Sequence, residues 1–391
     1  MKINPPILAL AIGAFGIGVT EFAPMGLLPI MATDLGVSIP VAGLLVSAYA
    51  LGVLLCAPLM TLTTTRVPRR TLLIALMGIF TLGNLLSAVA DGYAMLMAAR
   101  IITSMTHGAF FGVGSIVAAS VVPDNKRAGA VAAMFMGLTI ANVAGVPAAS
   151  WVGEVAGWRT AFFGISGLGV LAMAALWFAV PYARVTEAAD MRAELRVLRR
   201  HQVLTALALT VIGSGAMFTV FTYIAPILRE ETHASVAFIT AMLMVYGIGL
   251  TVGNWLGGRY ADRSIDGTLL VVLSALTALL LLFAVTMHWP VPAALSIFAW
   301  GVATFALVPP LQMRVMAAAS DAPNLASAMN IGAFNLGNAL GAAIGGAVIS
   351  VGLGYVAVSI AGAMVAGSAL ILAFATRGQS LPTAEPAACA T

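Results

Sequence analysis

The chain has 391 residues, a formal net charge of +4, 61% hydrophobic but only 8% charged residues, and a mean hydropathy of +1.05. An ordinary soluble domain carries about 25% charged residues, so this composition excludes a soluble protein and points to one embedded in a membrane. The small positive charge is distributed by topology, as set out below, so it is no nucleic-acid signal and no nucleic-acid partner is expected.

A hydrocarbon core about 30 Å thick takes roughly 20 apolar residues per helix. Twelve such runs are expected, at 5–31, 41–62, 71–90, 93–120, 128–151, 160–181, 203–228, 236–257, 268–287, 291–316, 325–350 and 353–376. The alternating ten-residue runs of a membrane β-barrel are absent, so the fold class is an all-α membrane protein. Cys56 falls within a span and Cys389 in the C-terminal tail, which argues against an internal disulfide. The first run is of full span length and carries Glu21, which argues against a cleaved signal peptide.

Span one carries Gly16-Ile17-Gly18-Val19-Thr20-Glu21-Phe22-Ala23-Pro24. Ten residues separate Glu21 from Met31 at the expected outer end, a depth of roughly 15 Å at the helical rise. Of the fourteen acidic residues, the other thirteen fall in or beside expected loops or tails. A carboxylate at that depth costs several kcal/mol unless it is paired, hydrated or protonated, so Glu21 is a functional candidate. The loop after span two reads Thr63-Thr64-Thr65-Arg66-Val67-Pro68-Arg69-Arg70, a basic cluster.

Span four carries Arg100-Ile101-Ile102-Thr103-Ser104-Met105-Thr106-His107-Gly108-Ala109-Phe110-Phe111. Arg100, Thr103, His107 and Phe110 recur at helical spacing, which makes a polar face expected to turn inward. The alternatives are an Arg100 that snorkels outward and a purely structural His107. Span five carries Met136-Gly137-Leu138-Thr139-Ile140-Ala141-Asn142-Val143-Ala144-Gly145-Val146-Pro147, in which Gly145 and Pro147 suit close helix packing and a bend. Residues 182–202 form the longest polar stretch, in which Met191, Leu195 and Leu198 repeat among arginines. They read as a surface amphipathic helix or, equally, as a solvated linker helix. In span ten, Pro309-Pro310 should break the helix beside a cavity or a neighbour.

Of the eighteen Lys and Arg residues, fifteen fall on one side of these spans and Arg159 and Arg229 on the other, with Arg100 inside. The positive-inside rule therefore places both termini in the cytoplasm. The halves also echo one another. Ala23-Pro24 of span one recurs as Ala225-Pro226 of span seven, and Asn142 and Gly145 of span five recur as Asn338 and Gly341 of span eleven. By the first offset Tyr223 holds the place of Glu21. Two six-helix halves with matching landmarks are the sign of a parallel repeat.

These stretches resemble the major facilitator superfamily. The Arg66–Arg70 loop is similar to its cytoplasmic signature, with Thr65 where an acid is usual, and Gly258-Arg259-Tyr260-Ala261-Asp262-Arg263 is a second copy that departs at Asp266-Gly267. The Arg100 to Phe111 stretch resembles span four of proton-coupled efflux members. Span five resembles the antiporter signature, with Val146 inserted between Gly145 and Pro147, and Gly157-Trp158-Arg159 the outer loop after it. The resemblance covers the whole chain and is to twelve-span drug/proton antiporters, particularly arabinose- and sugar-efflux-like permeases.

The resemblance implies two pseudo-symmetric six-helix bundles, 1–181 and 203–377, joined by the 182–202 linker and followed by a disordered tail at 378–391. It implies a monomeric inner-membrane carrier that exports a small neutral or cationic solute, with no cofactor, no metal and no catalytic residues, driven by the proton gradient. An importer or facilitator of sugars on the same fold stays open, whereas the absence of a Walker-type loop speaks against an ATP-driven pump. Proton coupling would fall to Glu21, Arg100 and His107. The cavity is expected to be walled by Phe22, Tyr49, Phe110, Asn142, Phe218, Tyr223, Asn254, Phe305, Gln312, Asn330, Asn335 and Asn338. The cytoplasmic gate would comprise Arg66, Arg69, Arg70, Asp262 and Arg263, with Gly145 and Pro147 in helix packing.

Overall fold

A computed structural model describes residues 4–63, 67–123, 127–182, 200–261, 263–319 and 323–378. Twelve helices among them are long and apolar enough to cross a membrane, beginning with Pro5–Asp34 and ending with Gly354–Ala375. Local chemistry sets several of their limits. Proline occupies the first turn of the helices starting at Pro5 and Pro290, where its missing N–H costs nothing. The Ser264 hydroxyl accepts from the Gly267 N–H at 3.0 Å and caps Ile265–Thr286. Gly157, at φ +86°, ends Val146–Ala156 and turns the chain straight into Trp158–Ala179.

Four spans are interrupted. Span four is split into Tyr93–Ser104 and His107–Ser120, a break that falls immediately before His107 and that helical spacing alone does not foresee. Span five relaxes into a π-turn at Ala141–Gly145, where Pro147 cannot donate to Val143. Span ten breaks at Leu307, so the expected proline pair lies in the first turn of Val308–Ala318. Span seven breaks at Thr222 and Tyr223, ahead of Pro226, into His201–Phe221 and Ile224–Glu230. Span one holds the matching Pro24 and stays continuous from Pro5 to Asp34. The carbonyl that Pro24 leaves without a helical donor is that of Thr20, and Arg100 donates to it at 2.7 Å.

The spans form two six-helix bundles, each with its own apolar core. One core joins residues of spans one to six, among them Leu73, Phe80, Phe110 and Phe162; the other joins Phe218, Leu276, Phe283 and Trp300 of the second half. Phe22, Met25, Val46 and Val146 belong by sequence to the first half but pack into the second core, which marks the seam. Span two runs along span eleven there, where the Ser47 hydroxyl donates to the Ala339 carbonyl at 3.1 Å, and it also meets span seven, where a Cβ on Gly43 would collide with the Tyr223 hydroxyl. Spans five and eight meet where the Asn142 carbonyl faces Gly247. Beyond both seams Arg229 of span seven bonds Glu154 of span five. An even number of crossings puts Asn4 and Gly378 on one face, and these contacts crowd the half of the molecule away from it.

Candidate functional site

Glu21 stands midway along the thirty-residue first helix and is 4% exposed. Facing it are Tyr49 of span two and the two segments of span four. The His107 Nδ1 is 3.9 Å from a Glu21 carboxylate oxygen and 3.2 Å from the Tyr49 hydroxyl. The Arg100 guanidinium lies over the Tyr49 ring, 4.2 Å from its centroid, a cation–π contact. Arg100 is fully buried, which rules out snorkelling, and apart from its bond to Thr20 its Nε and Nη2 have no protein partner. Sequence spacing put Arg100 and His107 on one helix face; the break at Met105 and Thr106 lies between them, and both still turn inward onto span one. Acid, imidazole, phenol and guanidinium thus form one buried cluster, with His107 between Glu21 and the Tyr49 hydroxyl.

Around the cluster are polar groups that residue spacing does not single out. The Thr20 hydroxyl donates to Asn84 Oδ1 of span three at 2.5 Å, and both residues are fully buried. Phe22 faces the seam, its ring stacked at 6.2 Å on Phe218 of span seven and edge-on at 6.4 Å to Phe221. The stack continues through Tyr246, 4.4 Å from Phe221, to Trp300.

The other candidate cavity residues fall into several settings. Asn330 accepts from the Thr210 hydroxyl and donates to Gln312 Oε1, each at 2.6 Å, which links spans seven, ten and eleven. Phe218 packs edge-on against Phe334 at 5.7 Å, while Asn335 and Asn338 are buried with amide atoms that no protein group satisfies. Asn142 donates to Leu138 O from within the π-turn, and Asn254 lies exposed two turns beyond Gly247 on the same helix. Phe110 is packed instead: a Cβ on Gly13 would stand 2.3 Å from its ring, so it sits between spans one and four. Tyr223 is likewise enclosed, donating to the Ala342 carbonyl at 2.7 Å beside Gly43 and Gly346. Phe305 is half-buried.

Gly145 faces Val19 and Phe15 of span one, and Pro147 is buried. Of the gate candidates, Arg66 and Asp262 lie outside the described residues, as do most of the linker and tail. Arg69 and Arg263 are exposed, and Arg70 bonds the Trp177 carbonyl of its own half. Asp266, which reads in the sequence as a departure from the loop motif, accepts from Arg314 at 3.2 Å and from the Gly378 N–H at 2.7 Å. Arg314 also donates to Thr376 O and Oγ1, so spans nine, ten and twelve are tied together on the face of the chain ends. Among the described residues no group of His, Cys, Asp or Glu side chains is placed to hold a metal ion.

Twelve apolar spans in two six-helix bundles, with a buried titratable cluster inside the first, are the architecture of a membrane transporter. A family model described as Major Facilitator Superfamily matches residues 10–346, and the chain belongs to that family. It is a transporter rather than an enzyme, and a multi-pass protein of the inner membrane. It is 59% identical to the inner membrane transport protein YdhP of Escherichia coli over 374 residues, which cover 96% of each chain. It is 31% identical to a chloramphenicol resistance protein of Streptomyces lividans, with 98% of each covered, and 30% identical to a probable sugar efflux transporter of Helicobacter pylori, with 90% of each covered. Among solved structures, that of the D-xylose–proton symporter matches with a TM-score of 0.74 at 17% identity, covering 95% of this chain and 97% of that one, which is a likeness of fold.

Proposed function

We propose that the protein is a proton-coupled exporter of a small neutral or cationic solute, working by alternating access between bundles 1–181 and 203–377. The observation that carries this reading is the Glu21 cluster, a carboxyl midway across the membrane with His107 at 3.9 Å. Its relatives include a protein named for sugar efflux and one named for chloramphenicol resistance. In the proposed cycle Glu21 takes up a proton when the outer side is open and loses it to the cytoplasm. Ionised Glu21 is held by the positive charge of Arg100, and protonated Glu21 frees that charge, so each state favours a different packing of spans one, two and four. A single carboxylate among neutral amides and aromatic rings suits a neutral or cationic solute better than an anion. Both termini lie in the cytoplasm in this reading, the side where fifteen of the eighteen basic residues gather, and one chain suffices for transport.

The test is solute uptake into inverted vesicles under an imposed pH gradient. The native protein accumulates solute when the vesicle lumen is acid, and Glu21→Gln does not. A symporter on the same fold would instead empty those vesicles, so one assay separates the two directions of coupling.

A further inference from the structure

On the face of the chain ends, away from the Glu21 cluster, a cleft of about 290 Å³ opens between the start of span three and the end of span six. Arg70, Thr71, Ile74, Trp177 and Tyr182 line it. The Arg70 guanidinium lies over the Trp177 ring, 4.8 Å from its centroid, and Nη2 donates to the Trp177 carbonyl. One carbonyl occupies one donor, which leaves most of the planar guanidinium fork for a further acceptor. Both aromatic walls are largely exposed, Trp177 and Tyr182 at 59% each, and the neighbouring Phe178 stands out from the helix at 86%.

We propose that this cleft seats the phosphate of an anionic phospholipid from the leaflet that the chain ends face. Trp and Tyr settle at the headgroup level, and basic pockets between spans on the cytoplasmic side take lipid headgroups. An arginine held in place by a ring and a carbonyl loses little freedom on binding and can grip two phosphate oxygens at once. Ile74 and Phe178 offer an apolar path for the acyl chains, which a free phosphate does not need. The naming of the leaflet rests on the orientation proposed above, whereas binding in detergent does not depend on it.

The experiment is thermal unfolding of the purified full-length protein in neutral detergent as phosphatidylglycerol or phosphatidylcholine is added. A ligand that binds only the folded state raises the transition in proportion to its affinity. Phosphatidylglycerol is expected to raise the midpoint several degrees more than phosphatidylcholine, and native mass spectrometry should find it retained. Arg70→Gln should lose both effects, and Arg70→Lys should keep part of them. Arg377→Gln, which removes an arginine lying over Phe374 at the end of span twelve, should keep both. If Arg70→Gln fails to fold, Trp177→Leu is expected to weaken the same two readouts. An undiminished shift in Arg70→Gln, or in Trp177→Leu where that variant stands in for it, would overturn the proposal. So would an equal loss in Arg377→Gln, or the same shift from inorganic phosphate alone.

Discussion

At the scale of single residues, the chemistry of the first helix turns on what a proline takes away. Pro24 cannot donate to Thr20, so the Thr20 carbonyl is free to accept from Arg100, which brings a cation into the membrane interior beside Glu21. The Thr20 side chain is used as well, in its bond to Asn84. Thr20→Val keeps the shape and strands the Asn84 carbonyl oxygen, which should cost about 1–3 kcal/mol, the price of an unsatisfied buried acceptor. Thermal unfolding should show a lowered midpoint for Thr20→Val and a nearly native one for Thr20→Ser. Equal midpoints for the two would mean the hydroxyl carries no weight. Glu21, Arg100 and His107 are legible in the sequence because an ionisable group in an apolar run has no ordinary reason to be there. Thr20 and Asn84 are not, since a lone hydroxyl and a lone amide on different helices share no spacing that marks them as partners.

Among the elements, span five and span eight bring backbone against backbone across the seam at a glycine. A Cβ on Gly247 would stand 2.5 Å from the Asn142 carbonyl oxygen, and a backbone atom cannot swing aside as a side-chain end does. Gly247→Ala should therefore push the π-turn and span eight apart and slow solute transport severalfold. Gly164→Ala, whose Cβ meets nothing within 4 Å, should transport as the native protein and be slightly stabilised by helix propensity. Native transport by Gly247→Ala would show that the seam tolerates separation there. The span-ten break was readable from Pro309-Pro310. The break in span four was not, because no proline marks it, and the Ser104 and Thr106 hydroxyls that bond back to the Ile101 and Thr103 carbonyls there belong to residues that an unbroken helix also accommodates. Asp266 shows the converse: visible as an odd residue in a loop motif, it found its partner Arg314 only through the fold, 48 residues along the chain.

For the whole molecule, the issue is what holds the two bundles together on the side away from the chain ends. The aromatic stack from Phe22 to Trp300 and the glycine contacts of spans two and eleven supply area, and the Arg229–Glu154 pair adds a charged tie between bundles. Both partners are partly exposed, at 33% and 15%, so the tie is worth at most about 1 kcal/mol. Even that shifts a two-state balance severalfold, since about 1.4 kcal/mol is a factor of ten. Arg229→Gln should speed labelling from outside of a cysteine placed at Ser47, in a background where Cys56 and Cys389 are serine. The paired reversal, Arg229→Glu with Glu154→Arg, should slow it again, and a reversal that labels as fast as Arg229→Gln would contradict the tie. Twelve spans and the repeat were plain from hydropathy and from Ala23-Pro24 against Ala225-Pro226. The seam was not, because Phe22, Val46 and Val146 are apolar in either bundle and only the fold decides which core receives them.

The proposed coupling requires Glu21 to exchange its proton during transport. In inverted vesicles with an acid lumen, the native protein should concentrate solute, and Glu21→Gln should lose that gradient-driven accumulation while still letting solute equilibrate. Accumulation by Glu21→Gln at the native rate would contradict the account and leave a carrier whose driving force lies elsewhere.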